Sequence, residues 1–333
     1  MKRIITGIKP TGNIHIGNFA GAVKPALNFM EDNQLEPFYF IANMHALNSV
    51  KDAQLLKKQT LEVAATWIAL GLDPKKATFY RQSDIPELLE LNWILSNLTA
   101  KGLMNRAHAY KAIVDKNKRA NIDTDTGVNM GLFNYPILMS ADILIFNADI
   151  VPVGKDQIQH IEIARDLADH FNQTYGKTFT LPNYFIEKEV AVLPGLDGRK
   201  MSKSYQNTIP LFSEPKTLKK LIKQVKTDSS SPTERKDYSS SPLFTMYQTF
   251  ATASETIEMK EHYEKGIGWG EVKEALYTVM NRELEKPRVK YKELIAHPAE
   301  IEKVLAVGAE KARTHSAKKL TEIKETIGLL SLY

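Results

Sequence analysis

Cysteine is absent from this 333-residue chain, which excludes disulfides and any cysteine-ligated zinc site. Apolar runs are short: none approaches the ~18 residues that a membrane span requires. The N-terminus, Met1-Lys2-Arg3-Ile4-Ile5-Thr6-Gly7, lacks the long apolar segment and cleavage site of a secretory signal. No internal repeat or low-complexity tract occurs. No His/Asp/Glu group has metal-ligand spacing, and no nucleophile triad is recognisable. Neither charge sign dominates. Lys and Arg number 44 against 39 Asp and Glu, a net charge of +5 that is compatible with a polyanionic partner without requiring one. These absences fit a cytoplasmic enzyme that makes no contact with membrane and holds no metal through its own side chains.

With 43% hydrophobic and 25% charged residues the composition is that of an ordinary globular protein, and the length suggests about two domains. Short apolar runs at Arg3–Ile8, Phe38–Ile41, Thr78–Tyr80 and Asp149–Val153 read as buried strands. Between them lie amphipathic stretches such as Leu55–Gly71 and Pro86–Leu98, apolar at three- and four-residue steps. This alternation predicts an α/β chain, a Rossmann-type parallel sheet with right-handed crossovers and ligands at the carboxyl ends of the strands. After Lys203 the prolines at 210, 215, 232 and 242 and two serine runs break a mostly helical region into pieces. The expected division is therefore a catalytic domain over 1–206, an all-helical domain over 207–298, and a terminal helix over 299–333 with Ile301, Val304, Leu305, Leu320 and Ile323 on its apolar face.

Two motifs carry chemistry. Lys9-Pro10-Thr11-Gly12 follows the first strand, and His15-Ile16-Gly17-Asn18 opens a helix. Glycine at 12 and 17 admits close backbone approach, and helix-start N–H groups can face phosphate oxygens. His15 and Asn18 add short donors for a phosphate whose charge rises in the transition state. Pro25, seven residues into the presumed helix, predicts a kink or an early end. About two hundred residues later, Lys200-Met201-Ser202-Lys203-Ser204 forms a double-lysine loop preceded by Gly195 and Gly198. Its ammonium groups can follow charge onto a departing pyrophosphate, stabilising the transition state more than the ground state. Taken singly, the first motif could be a plain β-turn-α corner and the second a solvated basic loop.

Together, in this order, they resemble the class I aminoacyl-tRNA synthetases, and the residues between them resemble the tryptophanyl-tRNA synthetase family over nearly the whole chain. The resemblance implies ATP-dependent formation of tryptophanyl-adenylate, then transfer to tRNA(Trp), by a homodimer whose helical domain reads the anticodon and whose last helix folds back on the catalytic domain. Mg2+ would travel with ATP. His15, Asn18, Lys200 and Lys203 become the catalytic residues. ATP would be held by Lys9, Pro10, Thr11, Gly17 and Asn18, by Gly154, Lys155 and Asp156, and by Val192 with Lys200, Met201, Ser202, Lys203 and Ser204. Lys155 departs from the acidic residue common there.

Tyr135-Pro136-Ile137-Leu138-Met139-Ser140-Ala141-Asp142 is the stretch expected to choose the amino acid. Pro136 suits a first helical turn, and Met139 and Asp142, three apart, share a face. An indole offers one N–H and no acceptor, so a carboxylate matches it, and a thioether gives a polarizable wall. The resemblance implies Asp142 as reader of the side chain, with Tyr135 and Gln157 on the ammonium group. Asp142 could equally cap or pair inside a buried helix, and His45 could line the pocket or be an ordinary buried histidine. His160 reads as structural. The resemblance also implies tryptophan over tyrosine, since the similar tyrosine enzymes usually place a glutamine-type amide near the position of Met139. Two surfaces could meet RNA: the lysine-rich helix Lys216–Lys226 and a flexible basic loop over Val114–Asn121. The rivals are a tyrosine–tRNA ligase, an adenylate-forming nucleotidyltransferase without tRNA, and a non-catalytic RNA-binding paralogue.

Overall fold

The computed structural model describes residues 1–186 and 193–329. Strand β2 (Leu35–Ile41) has its last five residues buried, as a strand covered on both faces requires. Beside it run β1 (Lys2–Ile8), β3 (Thr78–Arg81), β4 (Ile150–Pro152) and β5 (Asn183–Phe185), all parallel, in the order β3-β2-β1-β4-β5. The first three strands thus step outward in one direction and the last two in the other. The reversal falls between β1 and β4, where a parallel sheet opens a crevice at its carboxyl edge.

The helices that cover the sheet follow from their sequences. Ala53–Ala69 starts at Asp52, whose carboxylate accepts from the Leu55 N–H at 3.0 Å. Its Trp67 packs on Tyr39 and Phe79 with ring centroids 5.2 and 5.7 Å apart. Glu87–Leu98 buries Leu88, Leu91 and Leu95, one stripe at helical spacing. The edge strand β5 escaped the sequence reading because it is three exposed residues long and gives no periodic signal. Pro25 is accommodated by a wide turn: Ile16–Asn18 passes into a π-helical segment, Phe19–Val23, and Lys24–Met30 then begins with Pro25 in its first turn.

Two expectations need correcting. Pro136 is interior to the helix Met130–Leu144, which starts earlier because the Asn129 side chain caps it, accepting from the Leu132 N–H at 2.9 Å. Val114–Asn121 is not a loop but mostly the end of a helix, His108–Arg119. Its alanines and lysines are good helix formers, the basic residues Lys116, Lys118 and Arg119 suit the last turn, and Asn121 at φ 55° ends the run.

Among the described residues, everything regular after residue 207 is helical: Pro215–Gln224, Pro242–Phe250, Ala253–Lys265, Trp269–Ala296 and Pro298–Thr326. The last of these lies along the β3 edge of the sheet. Arg313 and Ser316 bond the Glu87 carboxylate, Lys324 pairs with Glu90, and Lys311 donates to the Pro74 carbonyl. The approach is closest at Gly308, where an added Cβ would stand 1.7 Å from the Phe79 carbonyl oxygen. Gly308→Ala should therefore push the helix off β3 and lower stability by about 1–3 kcal/mol or more. Urea denaturation monitored by circular dichroism measures this, and an unchanged midpoint would refute the contact.

Candidate functional site

The loop after β1 is a sharp phosphate-type turn. Thr11 N–H donates to the Lys9 carbonyl at 2.9 Å, and Gly12 adopts φ 87°, a left-handed conformation that favours glycine. His15 caps the helix that follows. The Asn18 N–H donates to His15 Nδ1 at 3.3 Å, while the His15 N–H donates to Asn18 Oδ1 at 3.2 Å. Burial, with the nearby Lys203 charge, lowers the His15 pKa to about 4. The ring is therefore neutral near pH 7, and since Nδ1 is an acceptor, its proton sits on Nε2 as a free donor. Gly17 leaves room for this ring: a Cβ there would lie 3.0 Å from it.

The lysine loop is seated directly on this turn. Lys203 donates from Nζ to the Thr11 carbonyl, and its side chain runs past Gly12. Met201 is buried against Gly17. Beyond the loop, residues 209–211 form a main-chain strap. The Ile16 N–H donates to the Ile209 carbonyl and the Leu211 N–H to the Ile14 carbonyl, both at 3.0 Å. The structure thus brings together Lys9, Pro10, Thr11, His15, Gly17, Asn18, Met201, Ser202, Lys203 and Ser204 on neighbouring segments, with Lys200 exposed beside them. Val192 lies outside the described residues.

The third segment enters from β4, the strand next to β1. Gly154 precedes a 3-10 turn, Lys155–Gln157, and its lack of a side chain is used by Asp156, whose Oδ1 would stand 2.7 Å from a Cβ at 154. Lys155 and Asp156 are exposed, and the Gln157 amide donates to Asp156 at 3.3 Å.

Beyond the ends of β2 and β3 lies a polar network in an apolar wall. Asp142 is only 1% exposed. Its Oδ2 lies 2.9 Å from His45 Nε2, and Gln82 Nε2 donates to both carboxylate oxygens at 2.9 Å. Burial raises the Asp142 pKa, opposed by the bonds from His45 and Gln82. Tyr135 joins through its hydroxyl, 2.6 Å from His160 Nε2, and its ring meets His45 edge-on at 6.2 Å. Met139 packs against the main core from the same helix. With three of its roughly four lone-pair sites engaged, Asp142 retains acceptor capacity for one more N–H.

Gln82 is the residue that sequence reasoning missed. Its Oε1 also accepts the N–H groups of Met44 and His45, so one side chain ties the ends of β2 and β3 to Asp142. The available signal was a polar residue directly after an apolar strand, at the carboxyl edge where ligands bind. On the outer helix Pro215–Gln224, Lys219 is taken up by Glu274 at 2.7 Å and by the Tyr277 ring, while Lys216, Lys220 and Lys223 are exposed.

The family described as tRNA synthetases class I (W and Y) matches residues 1–285. A tryptophan–tRNA ligase from Pseudomonas aeruginosa is 51% identical over 333 residues, covering 99% of this chain and 74% of that protein. Another, from Neisseria meningitidis serogroup A, is 49% identical and covers 99% of both chains. Among solved structures, the tryptophanyl-tRNA synthetase of Campylobacter jejuni, complexed with ADP and tryptophan, superposes with a TM-score of 0.86 at 45% identity, over 98% of this chain and 99% of that one. A tyrosyl-tRNA synthetase from Archaeoglobus fulgidus, at 19% identity and a TM-score of 0.67, shares the fold.

Both buried histidines bear on acid stability. Burial lowers His160, like His15, to about 4, with the neighbouring His108 charge adding to the effect. Unfolded, each would titrate near 6.5. Between these values the unfolded chain binds more protons, so stability should fall as pH drops through that window. Urea midpoints at pH 7, 6 and 5 should decline, and His15→Gln should flatten part of the slope. Midpoints that stay level would contradict the buried neutral state.

Proposed function

Because this chain belongs to the class I tRNA synthetases for tryptophan and tyrosine, we propose that it is a tryptophan–tRNA ligase that activates L-tryptophan with ATP and transfers it to tRNA(Trp). The carrying observation is that the lysine loop is seated on the phosphate-type turn at the sheet's switch point, with one buried carboxylate, Asp142, bonded to residues that follow β2 and β3.

In the first step a carboxylate oxygen of tryptophan attacks the α-phosphorus. The bond to the bridging oxygen breaks, and pyrophosphate leaves with the electron pair. The neutral His15 Nε2–H and the Asn18 side chain donate to α-phosphate oxygens as their charge grows. Lys200 and Lys203 follow the charge onto pyrophosphate, an interaction that strengthens as the bond breaks. Lys9, Pro10 and Thr11 shape the turn that faces the nucleotide, with Gly154 and Asp156 at the ribose. In the second step a terminal tRNA hydroxyl attacks the acyl carbon, and AMP leaves. Mg2+ would be carried by triphosphate oxygens and water, as hard cations that travel with nucleotides commonly are.

Selectivity comes from Asp142, which accepts the indole N–H while His45 and Gln82 keep it fixed, against the thioether of Met139. Tyr135 and Gln157 receive the ammonium group. ATP–pyrophosphate exchange across the twenty amino acids, without tRNA, tests the reading: exchange with tryptophan alone is expected. Exchange with tyrosine would overturn the pocket assignment, and none at all would favour a non-catalytic RNA-binding protein. In the same assay Asp142→Asn should weaken tryptophan by about 1–3 kcal/mol, since the amide offers donors where the network supplies them already.

The functional unit is a homodimer. On the outer face of Glu87–Leu98, Leu89 and Trp93 are 47% and 70% exposed, one turn apart, an apolar pair that a two-fold contact would cover. Light scattering should give about twice the 37.6 kDa chain mass, and Trp93→Glu should shift it toward one. A monomeric mass for the unaltered protein at micromolar concentration would sink this. No helix among the described residues is long and apolar enough to cross a membrane. We place the enzyme in the cytoplasm, with its ATP and tRNA, which cell fractionation checks.

A further inference from the structure

The lysine loop has few apolar anchors of its own and is shaped by hydrogen bonds, several of them from a residue just beyond it. Gln206 adopts φ 51°, a left-handed conformation that turns the chain back, and so carries Asn207 underneath the loop it has just left. Asn207 is 3% exposed. Its carboxamide is fully used: Oδ1 accepts the Ser202 N–H at 2.8 Å, and Nδ2 donates to Asp197 Oδ1 at 2.7 Å and to the Lys200 carbonyl at 3.2 Å. Its main-chain carbonyl accepts the Leu196 N–H at 2.9 Å. Gly195 lies flat against it, since a Cβ there would stand 2.2 Å from Asn207 Nδ2 and 2.6 Å from its carbonyl oxygen.

One side chain therefore bonds the loop at 197, 200 and 202, bracketing Lys200 and reaching the residue before Lys203. The chemistry requires an amide. A carboxylate at 207 would face Asp197, and an apolar side chain would leave the Ser202 N–H and the Lys200 carbonyl without their partner. The loop has other anchors as well: the Gly195 N–H donates to the Arg199 carbonyl at 2.6 Å, the Met201 N–H to the Leu193 carbonyl at 3.0 Å, and Lys203 to the Thr11 carbonyl, while Asp197 pairs with Arg199 and Arg199 lies over Tyr205 at 4.4 Å at the exposed rim.

We propose that Asn207 is a positioning residue for adenylate formation, its carboxamide holding residues 195–204 in the one shape that delivers the Lys200 and Lys203 ammonium groups to the departing pyrophosphate together. It touches no substrate. The inference rests on the lysine-loop reading given under the proposed function.

The test is a cycle of Asn207→Ala, Lys203→Ala and the double variant, read by pre-steady-state adenylate formation, the KM for tryptophan and the melting temperature. Asn207→Ala should slow adenylate formation by about tenfold or more with the tryptophan KM nearly unchanged, the signature of misplaced transition-state contacts. In the Lys203→Ala background the same change should cost no more than about threefold, since residues acting as a unit are non-additive. Full additivity, or an unaffected Asn207→Ala beside a slowed Lys203→Ala, overturns the inference alone. An unaffected Lys203→Ala overturns the lysine-loop reading and this inference with it. Should Asn207→Ala fold poorly, Asn207→Asp is the second probe. It should be slow, and adding Asp197→Asn, which restores a donor across that contact, should recover part of the rate. No recovery would count against the assignment.

Discussion

Two main-chain hydrogen bonds, from Ile16 to Ile209 and from Leu211 to Ile14, are what the site depends on. They close a loop of nearly two hundred residues and lay the chain that leaves the lysine loop alongside the chain that enters the first helix. Closing so long a loop costs conformational entropy that grows only slowly with length, but the return must come from burial. It does: Ile16, Met201, Ile209 and Leu211 lie in one apolar cluster with Leu218, Leu243 and Met280 of the helical region. The helices after residue 207 therefore hold the turn after β1 and the lysine loop together, whatever else they do.

The same geometry sets the charges. Placing a histidine and two lysines around one anion site would build up repulsion if all three were protonated. Burial keeps His15 neutral, so it contributes a dipole and a donor, while the lysines contribute charge. At the amino-acid end the problem has the opposite sign. A carboxylate that is 1% exposed costs several kcal/mol unless it is bonded, and Asp142 is bonded by His45 and by the Gln82 Nε2, which donates to both of its oxygens. An acceptor position on that carboxylate can stay open because the rest of it is already satisfied.

Much of this could be read from the chain because it is local. Strands β1 to β3 announce themselves as apolar runs, and the two phosphate-type motifs are contiguous strings whose glycines and lysines name their own chemistry. What escaped is set by distant partners. Gln82 is one polar residue until the fold carries it to Asp142, 60 positions away. Asn207 looks like a boundary residue until Gln206 turns it back under the loop. The start of Met130–Leu144 was misplaced because Pro136 carries the standard signal of a first turn, whereas the stronger signal, Asn129 as cap, sits in a polar stretch. His108–Arg119 was misread because its lysines suggested solvent, which is true of one face only. Asn117 is buried and donates to the Thr124 and Thr126 carbonyls, pinning the turn that follows.

The two halves of the site also belong to separate cores. Met139, Ala141 and Ile143 sit in the cluster that includes Ile5, Tyr80 and Phe146, under the sheet and its flanking helices. Met201 and Ile16 sit in the cluster built from the helical region. Close-packed cores transmit strain, and here the two clusters are separate. Substitutions in the first cluster should therefore express themselves mainly as altered amino-acid affinity, and those in the second as altered turnover. Asp142 and Asn207 are the polar counterparts of that division. Each is a buried group with its hydrogen-bonding capacity largely spent on holding one half still, Asp142 on His45 and Gln82, Asn207 on residues 197, 200 and 202.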